Sequence, residues 1–331
     1  MQVVVLAGGV GSRLRPWTNS IPKPLLPMLD RTLLEQVIYS VPTELVDEVI
    51  VAGGYKVEMI KSYFDSIDCD FDVTIVNETE PLGTGGALGN CRDVVSGTFA
   101  CFNGDIISSL DVGELLALHK SNGGIGSLGL WQVDDPTRFG IVGLDNKNKI
   151  TKFKEKPKPT EVFSNLINAG SYIFEQDIFD FMPHGKHSLE RDVFPKLAEH
   201  QQLNGMQFTG YFIDAGTRQS WSNAVVRCIK ESRFNHGTNQ NDSWFSKMAN
   251  NTTGDVSESM IEAHVVIGNS SITKSTILSK STIGNGCTIS GSLIGEKCQI
   301  GDNCTLKNVI VSQDSIIPMG TELIDCTWPI E

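Results

Sequence analysis

The chemistry with the clearest address lies in the first 25 residues. Leu6-Ala7-Gly8-Gly9-Val10-Gly11-Ser12-Arg13-Leu14-Arg15-Pro16 follows directly on an apolar run, Gln2 to Leu6. Glycines there let the backbone approach an anion closely and aim N–H groups at phosphate oxygens. Pro22-Lys23-Pro24 then holds one lysine between two rigid residues. Two familiar phosphate loops do not fit. A Walker A loop closes with Gly-Lys-Ser/Thr, whereas this one closes with Arg-Leu-Arg-Pro. A dinucleotide fingerprint needs a third glycine where Leu14 stands, and an acidic residue where Ala52-Gly53-Gly54 stands.

Carboxylates recur where metal and sugar chemistry could use them. Asp105 in Phe102-Asn103-Gly104-Asp105 ends an apolar run, and Asp214 in Phe212-Ile213-Asp214-Ala215-Gly216-Thr217 follows another. A hard divalent cation prefers such oxygen ligands shared with phosphate, although an aspartate capping a turn explains the same letters. Glu78-Thr79-Glu80-Pro81-Leu82-Gly83-Thr84-Gly85-Gly86-Ala87 reads as a glycine-rich turn before a helix whose N-terminus would face an anion. The six histidines (119, 184, 187, 200, 236 and 264) make no metal motif, and the eight cysteines contain no CxxC pair. Most of the cysteines sit in apolar patterns, as buried reduced thiols do.

The elements that must position these groups alternate. Val46–Val51, Val73–Val76 and Thr98–Phe102 read as buried strands. Between them Val57, Ile60, Tyr63 and Phe64 recur at helical spacing, as do Ala87, Leu88, Cys91, Val94 and Val95, then Val112, Leu115 and Leu116. This alternation predicts an open α/β sheet over residues 1–228, with ligands beyond the carboxyl ends of its strands. Residues 229–260, rich in Asn, Ser and Thr, read as a linker with one short helix near Trp244–Met248. From 261 to 331 the period changes. Ile267-Gly268, Ile283-Gly284, Ile294-Gly295 and Ile300-Gly301 mark a hexapeptide repeat, hence a parallel β-helix of about three coils. Cys287, Cys298 and Cys304 each follow one of these isoleucines by four residues, where a small apolar side chain packs.

A net charge of −12 argues against nucleic acid or a membrane surface as partner, though local cations can still hold a small anion. Hydrophobic residues at 40% and charged residues at 20% are ordinary for a folded globular chain. No basic n-region precedes the first strand and no apolar run nears the roughly 18 residues of a membrane span. A cytoplasmic location follows as the expectation, and the Asn-x-Ser/Thr triplets at Asn241, Asn250 and Asn251 then have no acceptor role.

The N-terminal motifs together resemble the sugar-nucleotide pyrophosphorylase family, whose signature LAGGxGTRLxPxT is followed by PKP. Ser12 stands for the usual Thr and keeps a hydroxyl. The resemblance implies a Rossmann-like domain with a mixed sheet and a short left-handed β-helix tail. It implies Arg13 and Lys23 as catalytic residues, with nucleotide contacts from Leu6, Ala7, Gly8, Gly9, Gly11, Ser12, Gly83, Thr84 and Gly85. Asp105 and Asp214 would hold Mg2+. The second of these lies in a version of WxDxGTP with Phe212 for Trp and Arg218 for Pro, which puts the loop's shape in question. Phe139-Gly140-Ile141-Val142, Glu155-Lys156-Pro157 and Asn168-Ala169-Gly170 match further motifs in order. By resemblance Gly140 gives the sugar room, Glu155 and Asn168 bind its hydroxyls and Lys156 binds its phosphate.

The implied reaction is NTP plus sugar 1-phosphate giving NDP-sugar and pyrophosphate. An NTP brings about −4 and a sugar phosphate about −2. Mg2+ with Arg13, Arg15, Lys23 and Lys156 supplies about +6, so the site balances locally within an acidic chain. PLGTGGAL and Ser188-Leu189-Glu190-Arg191-Asp192-Val193-Phe194-Pro195 resemble guanylyltransferase segments, pointing to GTP with mannose 1-phosphate. A uridylyl- or thymidylyltransferase using glucose 1-phosphate is the alternative. A non-catalytic regulatory relative need not keep Arg13, Lys23, Asp105 and Asp214 together. An acyltransferase using the β-helix usually needs a catalytic histidine, and the tail has only His264. The tail is expected instead to mediate homo-oligomer contacts.

Overall fold

The computed structural model describes residues 1–249 and 252–329. Asn250 and Asn251 of the triplets noted above fall outside them. The chain forms two compact units: Met1–Gly9 with Val37–Phe212, and Val10–Gln36 with Ile213–Glu331. The arginine- and lysine-bearing loop thus belongs with the tail, although it follows the first strand in sequence.

The first unit is built on a nine-stranded mixed sheet. Its order is Ile150–Glu155, Gly140–Leu144, Leu166–Phe174, Phe99–Asn103, Gln2–Leu6, Glu48–Gly53 and Asp72–Asn77, with Gly126–Gln132 and Leu203–Gln207 branching from Leu166–Phe174. The four strands from Phe99–Asn103 to Asp72–Asn77 run parallel, while Leu166–Phe174 is antiparallel to its neighbours. Central strands here are buried on both sides: Val3, Val4 and Val5 are each 0% exposed. Such strands read as continuous β-branched runs, which is why the sequence pattern found them. The expected helices appear at Val57–Asp65, Gly83–Gly89 and Val112–Asn122. Val94, grouped with the second by its spacing, lies beyond it and is exposed.

The second unit contains the parallel β-helix. Its three sheets stack Ile267, Ile283, Ile300 and Ile317 in one ladder, and Ile272, Ile289, Leu306 and Leu323 in another. Ile261, Ile277, Ile294 and Val311 form the third. These aliphatics, with the buried Cys287, Cys298 and Cys304, are its core. Five strands stack in one sheet, from Asp255–Ser257 to Glu322–Ile324, so the helix is longer than about three coils. Three of the isoleucine–glycine pairs lie in one ladder and Ile294-Gly295 in another, while Ile272, Ile289 and Leu306 of the remaining ladder are followed by Thr, Ser and Lys. Left-handed backbone at Lys280, Lys297 and Asp314 turns successive coils at one corner.

The short helix expected near Trp244–Met248 is a strand, Ser243–Phe245. It pairs in parallel with Met260–Ile261 and antiparallel with Thr238–Gln240. Trp244 is buried with its indole N–H on His236 O, and that burial outweighs the local pattern.

Residues 10–36 have little regular structure of their own: two 3-10 turns, the helix Trp17–Ser20, a hairpin of two-residue strands and the first turn of the helix Leu33–Ile38. They are fixed by their neighbours in the unit. The Trp17 indole donates to Val311 O at 2.9 Å and packs edge-on against Trp221, centroids 6.3 Å apart. Ser20 Oγ donates to Gln313 Oε1, and Asp30 Oδ2 accepts the N–H groups of Asn235 and His236. Replacing Trp17 by Phe keeps a ring but removes one of the two donors on Val311 O, which retains the Gly295 N–H. We expect a loss of about 0.5–1.5 kcal/mol in urea denaturation. Turnover should fall more than substrate affinity, because the loop's cations lose their frame.

A cleft in the same unit is lined by Trp17, Ile21, Leu26, Leu278, Glu262 and Glu296. Burial pushes the Glu262 carboxyl up to about 7, the Ser279 N–H it accepts at 2.8 Å opposes this, and the charge of Glu296 adds to it. Lys280 and Lys297 pair with Glu296, not with Glu262. The folded chain therefore binds this proton more tightly than the unfolded one. Its contribution to stability is complete below the unfolded value of about 4.3 and is lost as pH rises through the folded value. Glu262→Gln should raise the melting temperature at pH 8 and leave it nearly unchanged at pH 5; equal effects at both would contradict this.

Candidate functional site

In the first unit the sheet's carboxyl edge brings the glycine segment against an unexpected acid. Ala7 N–H donates to Ala52 O at 2.7 Å, carrying the chain past the strand end to Gly8. A Cβ at Gly8 would fall against Glu78 Oε2, so the glycine lets that carboxylate lie against the backbone. Glu78 is only 8% exposed, and Oε1 accepts the Leu82 N–H at 3.2 Å. Burial raises its pKa, with the Leu82 N–H pulling the other way. Gly104 N–H donates to Leu6 O at 3.0 Å, and a Cβ at Gly104 would lie 2.9 Å from that oxygen. The close approach sets Asp105 directly after the strand Phe99–Asn103 and beside the end of the first strand.

The helix Gly83–Gly89 differs from expectation. The N–H groups of Gly85 and Gly86 both donate to His187 O, at 3.1 and 3.2 Å. These donors are spent within the chain and do not await a phosphate, because the segment after Gly185 folds across the helix start. The His187 ring also covers Gly85, where any side chain would collide with it. Thr84 Oγ1 donates to Glu190 Oε2 at 2.6 Å. Glu78 and Glu190 were within reach of the sequence only as letters in longer motifs, and His187 only as one of six histidines without a metal motif. Their contacts join segments about 100 residues apart.

The three sugar motifs converge in the same unit. Gly140 pairs with Glu155 across antiparallel strands, and a Cβ at Gly140 would meet the Phe153 ring at 2.5 Å and Glu155 Oε2 at 3.0 Å. Asn168 lies at a register break in Leu166–Phe174, where Gly170 adopts φ +66° against Asn103. Such bulges re-aim side chains beside ligand sites. Asn168 Nδ2 donates to Tyr172 Oη at 2.9 Å, and Oδ1 accepts Gly170 N–H. Burial raises the pKa of Glu155, the charge of Glu190 raises it further, and Lys156 opposes both. Lys156 Nζ stands 3.4 Å from Glu155 Oε1, on a backbone with φ 45°. A left-handed lysine costs about 1 kcal/mol, and such strain collects where side-chain direction matters.

The second unit carries the remaining residues: Gly11, Ser12, Arg13, Arg15, Lys23 and Asp214. Gly11 has φ +69°, and a Cβ there would press on Lys23 Cβ and Thr18 Cγ2 at 3.0 Å each. Lys23 itself is 7% exposed. A side chain at Gly216 would fall 2.6 Å from Arg13 Nη2 and 2.7 Å from Asp214 Oδ1, so that glycine lets guanidinium and carboxylate pass side by side. Arg218 resolves the departure at the end of this motif. It opens the helix Arg218–Lys230 behind the Thr217 cap and donates to Gly291 O and Asn308 Oδ1 of the β-helix. Among the described residues no group of three or more His, Cys, Asp or Glu side chains forms a metal site. No helix among them is long and apolar enough to cross a membrane, and all eight cysteines are free.

Comparison with known proteins agrees with this arrangement. The nucleotidyl transferase family matches residues 2–231, and the GlmU-like C-terminal hexapeptide family matches residues 242–324. Mannose-1-phosphate guanylyltransferase 1 of Arabidopsis thaliana is 35% identical over 223 residues, 65% of this chain and 61% of that protein. A probable mannose-1-phosphate guanylyltransferase 2 of Oryza sativa subsp. japonica is 33% identical, covering 72% of this chain and 68% of its own. The mannose-1-phosphate guanylyltransferase of Mycobacterium tuberculosis is 36% identical over 70% of this chain and 66% of its own. The matches thus span about three fifths to two thirds of these relatives' lengths. Among solved structures, a putative glucose-1-phosphate thymidylyltransferase from Bacillus anthracis, in complex with a sucrose, aligns with TM-score 0.64 and 26% identity, covering 72% of this chain and 98% of that one. HddC from Yersinia pseudotuberculosis, complexed with GMP-PN, aligns with TM-score 0.57 and 29% identity, over 68% and 98%. The chain belongs to the nucleotidyl transferase family and carries a hexapeptide-repeat tail.

Proposed function

We propose that this chain is a sugar-1-phosphate nucleotidyltransferase, with residues 1–228 as its catalytic domain, that uses GTP and mannose 1-phosphate. The observation that carries this reading is the buried Glu78 carboxylate against Gly8, in the unit that also gathers Gly140, Glu155 and Asn168. A carboxylate is acceptor-only when ionised, and guanine offers it two adjacent donors, N1–H and N2–H2. Uracil and thymine offer one N–H between two carbonyls, so an acid suits them poorly. The curated relatives above are guanylyltransferases by name, and the HddC structure holds a guanine nucleotide analogue.

In the reaction a sugar-phosphate oxygen attacks the α-phosphorus in line. A new P–O bond forms, the bond from the α-phosphorus to the β-bridging oxygen breaks, and pyrophosphate leaves with that electron pair. Positioning and charge stabilisation carry such chemistry. Leu6, Ala7, Gly8, Gly9, Gly11 and Ser12 would line the NTP, Gly83, Thr84 and Gly85 its base. Arg13 neutralises the departing pyrophosphate, and Lys23 bridges the α-phosphate and the attacking phosphate. Glu155 and Asn168 take sugar hydroxyls, with Lys156 on the sugar phosphate. Asp105 and Asp214 would supply hard oxygen donors of the kind Mg2+ takes alongside substrate phosphates. When bound, the ion would offset charge building on the phosphates.

We further assign the chain to the cytoplasm, on its free thiols, and assign copies to associate through the tail, where Ile316, Met319 and Ile324 are exposed. Sedimentation should then show an oligomer that Ile316→Lys disperses.

The decisive assay is pyrophosphate release from each NTP paired with a panel of sugar 1-phosphates, with and without Mg2+. Lys23→Ala and Asp105→Ala should stay folded by circular dichroism and lose turnover by on the order of 3–4 kcal/mol, a several-hundred-fold drop. Glu78→Gln should cost GTP about 10–100-fold in kcat/KM while sparing UTP. Release with UTP or dTTP and glucose 1-phosphate instead would favour the uridylyl- or thymidylyltransferase reading. No release for any pair would reject catalysis.

A further inference from the structure

We propose that Glu190 is a second sugar-binding carboxylate beside Glu155, and that it sets which sugar 1-phosphate is accepted by taking one ring hydroxyl. This rests on the reading that a sugar 1-phosphate binds at Glu155.

Glu190 lies in the π-helical turn Leu189–Val193, capped by Ser188. Turns of this type are rare and recur at functional sites, because the wider coil re-aims a side chain. Two hydroxyls fix Glu190 on one side only. Thr84 Oγ1 and Ser188 Oγ both donate to Oε2 at 2.6 Å. Thr84 Oγ1 in turn accepts Leu189 N–H at 3.1 Å, and Ser188 Oγ accepts Arg191 N–H at 3.3 Å. Oε1 takes no hydrogen bond from any described residue, and the side chain is only partly buried. The carboxylate is thus clamped and has an oxygen to offer.

What it can offer that oxygen to follows from its neighbours. The turn Leu189–Val193 packs against the strand Ile150–Glu155, so the charge of Glu190 reaches Glu155, and also the Tyr172 hydroxyl, itself bonded to Asn168. Two acceptor-only groups therefore stand near each other, with Lys156 and Arg191 as the cations acting on Glu155. Such a pair is unfavourable until hydroxyl donors arrive, and a sugar ring carries them on adjacent carbons. A site built to bond a hydroxyl rejects an analogue lacking it far more strongly than an apolar pocket can. The same Glu190 oxygen that holds Thr84 links this subsite to the glycine segment 83–85.

The test uses the purified full chain, its best sugar 1-phosphate and each monodeoxy analogue of that sugar, at saturating NTP. Glu190→Gln keeps a carbonyl for Thr84 and Ser188, so the clamp survives. We expect kcat/KM for the parent sugar phosphate to fall about 10–100-fold with the KM for NTP unmoved. One analogue that the wild type discriminates against should cost the variant nothing further. If the variant keeps the wild-type ratios for all analogues, or loses NTP affinity in step with sugar affinity, Glu190 is only a brace and the proposal falls alone. Wild-type chain that releases pyrophosphate with no sugar 1-phosphate overturns the transferase reading and this one together.

Discussion

The hydrogen bond from the Trp17 indole to Val311 O holds in place a segment that cannot hold itself. Residues 10–32 contain no helix longer than four residues and no strand longer than two. Short pieces like these are not independently stable in water. Yet they carry Arg13, Arg15 and Lys23, the cations proposed above to act on the phosphates, and charge stabilisation of that kind needs its cations pre-placed. The β-helix supplies what the loop lacks, a stacked scaffold whose every rung is bonded to the next. Trp17 on Val311, Ser20 on Gln313 and Arg218 on Gly291 and Asn308 tie both Arg13 and the Asp214 turn to that scaffold. On this view the tail is part of the catalytic frame.

The other unit solves a different problem, which is selection among similar ligands. Its chosen groups are carboxylates at partly dehydrated positions: Glu78, Glu155 and Glu190. Burial lifts Glu78 and Glu155, so each is held at some cost. That cost is offset only by donors of the right number and placement, which is how a polar site discriminates. In the proposed reaction phosphate is left instead to backbone glycines and cations. On that reading an acidic chain could bind two polyanions, because sign is arranged locally and net charge is not.

Much of this was legible in the letters, and particular residues show why. Val3 to Val5 and Ile267 to Ile317 announced their strands because burial on both faces, or once per rung, imposes a period on composition. Lys23 between prolines and Gly8-Gly9 after a strand pointed to the nucleotidyl transferase family because few other uses need those types together. Trp244 misled: a polar stretch with one aromatic looks like a frayed helix until Met260 is known to lie alongside. The start of the helix at Gly83 misled for the same reason, since His187 claims its donors from a hundred residues away. Arg218, a departure from the family motif on paper, is a tether once Asn308 stands opposite.

The sequence by itself determined the two element types and their order, and it nominated the groups proposed to meet phosphate. These depend on local periodicity and on residue chemistry, both of which are written in neighbouring letters. Only the tertiary structure decided which groups act as partners: Glu78 with Gly8, Glu190 with Thr84, Arg13 beside Asp214 over Gly216, Trp17 on Val311. Each of those contacts joins segments from 70 to nearly 300 residues apart. Pairing of that kind is set by how sheets and coils stack, and no local period records it.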